Sequence, residues 1–210
     1  QTLFVLRAHP DETRRGKESQ ESVAAWVHSS GVDRLSNVVF IGPDEPVSSY
    51  ELIRASKFVL VYNSSVGLEA SILGTPALCA GRARFTEFDA AFAPRDADAY
   101  RRRLSEFLAA ARPEIGEGQT ANARAFLYSE LFSASLDLGE FLVPDPDLPG
   151  MVRFSAFAPA RLQAASSCRV IRQGILEGRP FLLTPAPGSD EPAEVPPGWA
   201  ASNPMGRGNR

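Results

Sequence analysis

The sequence predicts an α/β chain, a Rossmann-like parallel sheet with flanking helices. Two observations lead there. Short apolar runs alternate with helix-like stretches four times within about eighty residues. The first of these runs, residues 3–6, is continuously apolar, consistent with a buried parallel strand.

The elements follow in order. Residues 3–6 (LFVL) read as the first strand, and a polar loop from Arg7 to Gly16 follows. Residues 17–30 read as a helix with Val23, Ala24, Trp26 and Val27 on its apolar side and Gly31 as its stop. Residues 37–41 (NVVFI) form the second strand, closed by Gly42-Pro43. Ser48-Ser49-Tyr50-Glu51 has the form of a capping box and opens a short helix over 49–56. Residues 58–62 (FVLVY) are the third strand, 66–73 the next helix and 77–80 a short fourth strand. Gly74-Thr75-Pro76 reads as a C-cap and stop. Asp96 caps a helix to about residue 111, and a second long helix is predicted over about 120–141.

Beyond Leu142 the composition changes: eleven of the seventeen prolines lie from Pro144 onward. Residues 1–142 are therefore expected to form the folded domain. Residues 143–183 are an extension with a helix around 161–176 and a strand at 181–183. Residues 184–210, rich in Pro, Gly, Ala and acidic side chains, are expected to be a disordered tail. The chain opens on Gln1 almost in mid-strand, so a preceding partner domain is expected.

With 44% hydrophobic residues, 210 residues suffice for one well-cored domain plus extra material. The net charge of -3 argues against a general nucleic-acid binder, which carries a basic excess. Cys79 and Cys168 lie far apart and suit a reduced, cytoplasmic setting without a disulfide framework. No apolar run reaches the roughly 18 residues of a membrane span. P-loop, Gly-x-Gly-x-x-Gly, zinc-cluster and Gly-x-Ser-x-Gly patterns are absent.

In parallel α/β sheets, ligands bind at the carboxyl ends of the strands. Three segments fall there: Arg7-Ala8-His9-Pro10-Asp11-Glu12, Gly42-Pro43-Asp44, and Asn63-Ser64-Ser65-Val66-Gly67-Leu68-Glu69. Two roles fit the third segment. A helix start with small residues and hydroxyls offers N–H groups to a phosphate; a serine there also serves as a plain N-cap. Two serines are more than one cap needs. Glu69 suits ribose hydroxyls or a favourable helix-dipole charge. His9, stiffened by Pro10, suits a phosphate contact or protonation of a leaving group, or a bond to a nearby backbone group. Asp11-Glu12 sits in an exposed-looking loop. Arg7, Arg14, Arg15, Lys17, Arg82 and Arg84 are candidates for a local basic rim. His28 and Arg101-Arg102-Arg103 read as surface residues.

The stretches LRAHPDE and NVVFIGPDEPVSSYELIRASKFVLVYNSSVGLEASILGTPALCAG resemble the C-terminal nucleotide-binding half of the capsule polysaccharide biosynthesis family, which includes the β-Kdo transferases. A looser resemblance is to bacterial sialyltransferases, with their His-Pro and Ser-Ser/Thr motifs on a GT-B scaffold. The resemblance covers about residues 3–85.

It implies a glycosyltransferase domain that binds a nucleotide-activated sugar, with CMP-Kdo or another CMP-sugar in front, and a glycan or glycolipid acceptor. His9 would be catalytic. Arg7, Pro10, Asn63, Ser64, Ser65, Gly67 and Glu69 would hold the donor, with no metal and no cofactor beyond the substrate. The base that activates the acceptor would come from an N-terminal domain outside this chain. A cytoplasmic place at the inner face of the plasma membrane, with peripheral membrane association, follows from the same resemblance. A CDP-glycerol or UDP-sugar enzyme and a non-catalytic Rossmann-like module of a polysaccharide assembly complex are the alternatives.

Overall fold

The computed structural model describes residues 2–13, 19–148 and 150–183. The chain is α/β: among the described residues, two parallel strand pairs, each closed through a helix, are followed by helices and one antiparallel hairpin. The tail expected to be disordered, 184–210, lies outside the described residues.

The first unit is β1 (Phe4–Arg7), α1 (Val23–Ser30) and β2 (Val38–Ile41). The strands run parallel with Phe4 opposite Val38 and Arg7 opposite Ile41. Main-chain bonds from Phe4 to Asn37 (2.8 Å) and from Ala8 to Ile41 (3.0 Å) extend the ladder at both ends. A parallel return needs a crossover of a dozen or more residues, which the loop and α1 supply. The helix expected over 17–30 starts only at Val23, because Ser22 accepts the Ala25 N–H (3.0 Å) as N-cap. Gly31, at φ +70°, ends it as predicted. Residues 14–18 lie outside the described residues. Of the apolar side expected for this helix, Val27 is buried, but Ala24 and Trp26 are exposed; Val5 and Val39, paired across the ladder, leave one face of this sheet open.

The second unit is β3 (Val59–Val61), α3 (Val66–Ile72) and β4 (Ala77–Cys79), preceded by α2 (Ser49–Ala55). Ser48 is the N-cap of α2, but the capping box does not form: its side chain makes no cap bond. Val59 faces Ala77 and Val61 faces Cys79. Gly67 explains how α3 lies so close to the strands. A Cβ there would stand 3.0 Å from Val61 Cγ2 and 3.4 Å from both Cys79 Sγ and Phe85 Cζ. Thr75 is buried and donates to the Ile53 carbonyl (3.2 Å), so the Gly-Thr-Pro stop also ties α2 to α3. The outer edge of β4 takes Phe92 as a parallel bridge.

The core gathers around this second unit. Ile53, Leu68, Ala70, Ala77, Cys79, Phe85, Ala123 and Phe126 are all buried there. Helix α4 (Ala97–Ala109) is capped by Asp96 as expected, with a 2.7 Å bond from the Ala99 N–H. Phe107 of α4 packs edge-on to Phe92, ring centroids 5.3 Å apart. Helix α5 (Gln119–Tyr128) lies on α3, and Thr120 donates to the Ser71 carbonyl (2.9 Å).

The long helix expected over 120–141 does not form. Helix α5 ends at Tyr128, passes into a π-helical turn (Ser129–Ala134) and stops. Ser135 bonds the Glu130 carbonyl, and Asp137 bonds the Gly139 N–H, so side chains compete with the helix ladder. A hairpin then follows, β5 (Leu142–Pro144) with β6 (Val152–Phe154). Helix α6 (Pro159–Ala164) and helix α7 (Ser166–Glu177) replace the single helix expected at 161–176. The break falls at Ala165, where extended backbone (ψ 132°) starts a new helix and Ser167 Oγ donates to the Asp137 carbonyl (2.5 Å). The strand expected at 181–183 is not formed. Phe181 instead lies on Gly174, where a Cβ would stand 2.5 Å from its ring.

Candidate functional site

The carboxyl ends of β1 and β2 carry the first two loops, and side chains stitch them together. Arg7, the last residue of β1, sends its guanidinium across to the loop after β2. It donates to the Gly42 carbonyl and, at 3.1 Å, to the Glu45 carbonyl. Glu45 in turn accepts the Gly42 N–H (2.6 Å), and Thr13 Oγ1 donates to Asp44 Oδ1 (3.1 Å). Arg7 therefore holds protein carbonyls; only its buried Nε has no partner among the described residues.

His9 stands just past the end of β1 and is exposed. Pro10 opens a short 3-10 turn, Pro10–Thr13, closed by the Glu12 N–H to the His9 carbonyl (3.0 Å). The turn brings the Asp11 N–H to His9 Nδ1 at 3.0 Å. A neutral ring that accepts at Nδ1 carries its proton on Nε2, the donor left for other groups.

Glu12, expected in an exposed loop, is only 7% exposed. Its Oε1 accepts the Val23 N–H at 2.6 Å, at the start of α1. A carboxylate there satisfies an open N–H and meets the positive end of the helix dipole. Sequence pattern misses this because the partner lies eleven residues away, across a loop.

The turn after β3 divides its two serines between two tasks. Ser64 Oγ accepts the Val66 N–H (3.3 Å) at the head of α3, while Ser65, the N-cap, makes no side-chain cap bond. Ser65 Oγ donates to Glu69 Oε1 (3.2 Å), one turn further along α3. Asn63, Ser64 and Ser65 are exposed, and Glu69 is half-buried. Gly67 is buried against the strands, so its lack of a side chain serves packing.

The structure places Arg7, His9 and Pro10 on one strand pair and Asn63, Ser64, Ser65, Gly67 and Glu69 on the other. Among the described residues no ladder joins the two pairs. The candidate residues thus come from two loop clusters on separate strand pairs. Two grooves lie elsewhere: about 360 Å³ along α7 beside Cys168 and Ile175, and about 530 Å³ between α4 and the start of α5.

Of the basic residues, Arg84 pairs with Glu130 at 2.8 Å, and Arg14, Arg15 and Lys17 lie outside the described residues. Arg101 pairs with Asp98 and Arg103 with Glu106, as a solvated helix face does. His28 is exposed beside Asp33 (3.4 Å). Cys79 and Cys168 are free; burial pushes the Cys79 thiol up to about 11. Among the described residues no helix is long and apolar enough to cross a membrane. Comparison with known proteins finds no family model, no curated protein and no solved structure that matches this chain.

Proposed function

We propose that the chain is the donor-binding half of a glycosyltransferase, Rossmann-like and equivalent to the C-terminal half of a GT-B enzyme, acting in capsule or surface polysaccharide synthesis. The carrying observation is the His9–Asp11 bond, which occupies Nδ1 of the exposed His9 at the carboxyl end of β1 and leaves Nε2 as its other ring nitrogen. In this reading the Nε2–H donates to the leaving phosphate of a nucleotide sugar as the bond to the sugar breaks. A donor aimed where charge develops is an effective way to stabilise a leaving anion.

The turn after β3 complements it. Ser65 and the N–H groups of the turn meet the phosphate, and Glu69 accepts from ribose hydroxyls. Arg7 acts indirectly, by holding the loop after β2 in place. A CMP-sugar is the first candidate donor. The acceptor, a glycan or glycolipid, is met with a partner domain at the inner face of the plasma membrane.

A second reading has an observation of its own. Ser64 Oγ accepts the Val66 N–H at the head of α3, and Ser65 bonds Glu69. The turn is therefore satisfied internally, as it would be in a non-catalytic module of an assembly complex.

Titration calorimetry of the chain with CMP, UDP and CDP separates the two. The donor reading predicts saturable binding of one nucleotide over the others. No binding by the folded chain, alone or with its partner domain, favours the module.

A further inference from the structure

We propose that Tyr62 is the platform on which the nucleobase of the bound nucleotide stacks. The inference rests on the donor reading above and adds a base-binding residue to it. Tyr62 follows β3 directly and precedes Asn63-Ser64-Ser65, so its ring stands at the carboxyl end of the strand, beside the proposed phosphate turn. It is 71% exposed, well above the burial usual for tyrosine.

The ring is nevertheless propped. Gly81 lies against it, and a Cβ at that position would stand 2.9 Å from Tyr62 Cζ and 3.0 Å from Cε1. The backbone beneath is pinned by the Gly81 N–H to the Tyr62 carbonyl (2.7 Å) and the Ala80 N–H to the Val61 carbonyl (2.9 Å), which extend the β3–β4 ladder. Val61, one residue earlier, packs under Gly67 of α3, so strand alternation turns Tyr62 away from that helix. The result is an aromatic ring backed by glycine main chain and open to solvent. It makes no ring contact with another aromatic among the described residues, unlike Tyr128, which pairs with Phe132 at 4.9 Å.

Base–aromatic stacking needs one supported ring with an open face, and it tolerates any base. The apolar face of a sugar is the other group such a ring takes, and the test separates the two. Calorimetry compares CMP with ribose 5-phosphate on the wild-type chain, Tyr62→Ala, Tyr62→Phe and Gly81→Ala. The wild type is expected to bind CMP more tightly than ribose 5-phosphate. Tyr62→Ala should lose roughly tenfold in CMP affinity and leave ribose 5-phosphate unchanged. Tyr62→Phe should retain the preference, and Gly81→Ala, which displaces the ring, should reduce it. Thermal melts confirm that the exposed Tyr62→Ala change leaves the chain folded. Equal CMP binding by Tyr62→Ala and wild type overturns the platform while the donor site stands. An equal loss for both ligands assigns the ring to the sugar and overturns base stacking. Wild type that binds neither ligand removes the donor reading, and the platform with it.

Discussion

His9 and Asp11 are joined by a hydrogen bond in which the Asp11 backbone N–H donates to Nδ1 of the imidazole, 3.0 Å away. Pro10 between them makes the turn that allows it. The bond sets the tautomer of the neutral ring. With Nδ1 accepting, Nε2 is the ring nitrogen left to donate. His9→Ala should raise the Kd for the nucleotide about tenfold or more, the scale of a lost hydrogen bond to a charged group. The melting temperature should hardly move, because the ring is exposed. Paired titration and melting curves check both.

Gly67→Ala tests the packing of α3 on the strands. A helix gains about 1 kcal/mol from the change, but overpacking costs about 1–3 kcal/mol, and the new methyl meets Val61 Cγ2 at 3.0 Å. A net loss of about 1 kcal/mol is expected in urea unfolding. The loss should shrink in a Val61→Ala background, where the methyl has room.

Glu12→Ala should destabilise the chain by about 1–2 kcal/mol, because Val23 N–H loses its acceptor at the head of α1. Glu12→Gln keeps an acceptor oxygen and should lose less. Amide exchange at Val23 and Ala25 reads the fraying directly.

The two cysteines should differ in reactivity and in their effect on stability. Cys79 is 1% exposed and its thiol is raised to about 11 by burial, so alkylation at pH 8 should label Cys168 first and Cys79 only on unfolding. A thiol whose folded value exceeds its ordinary 9.0 favours the folded state fully below pH 9. Stability should then fall by up to about 1.4 kcal/mol per pH unit as pH rises toward 11. Cys79→Ala should flatten that slope, as measured by denaturant unfolding across this range.

Local signals made much of this chain legible. The Asp96 cap, the Gly31 and Gly74 stops and the four short strands all rest on residues within one turn of where they act. What sequence hid was set at a distance. The hairpin at Leu142–Phe154 pairs residues across a proline-rich loop, and Pro144 at the end of an edge strand looks like a strand breaker. Helix α5 ends early because Ser135 and Asp137 find backbone partners that a periodicity count does not see. At the candidate site, sequence located both loops. It did not show that Arg7 is spent on Gly42 and Glu45, that Glu12 is a buried cap, or that Ser64 and Ser65 have different partners.

In the donor reading one phosphate is held by both loops. A double-mutant cycle measures it: CMP affinity of wild type, His9→Ala, Ser65→Ala and the double variant, by calorimetry. The donor reading predicts that each single change weakens binding and that the two are coupled by about 0.5 kcal/mol or more, because both side chains touch the same anion. Strictly additive losses, or no loss from either change, would contradict it.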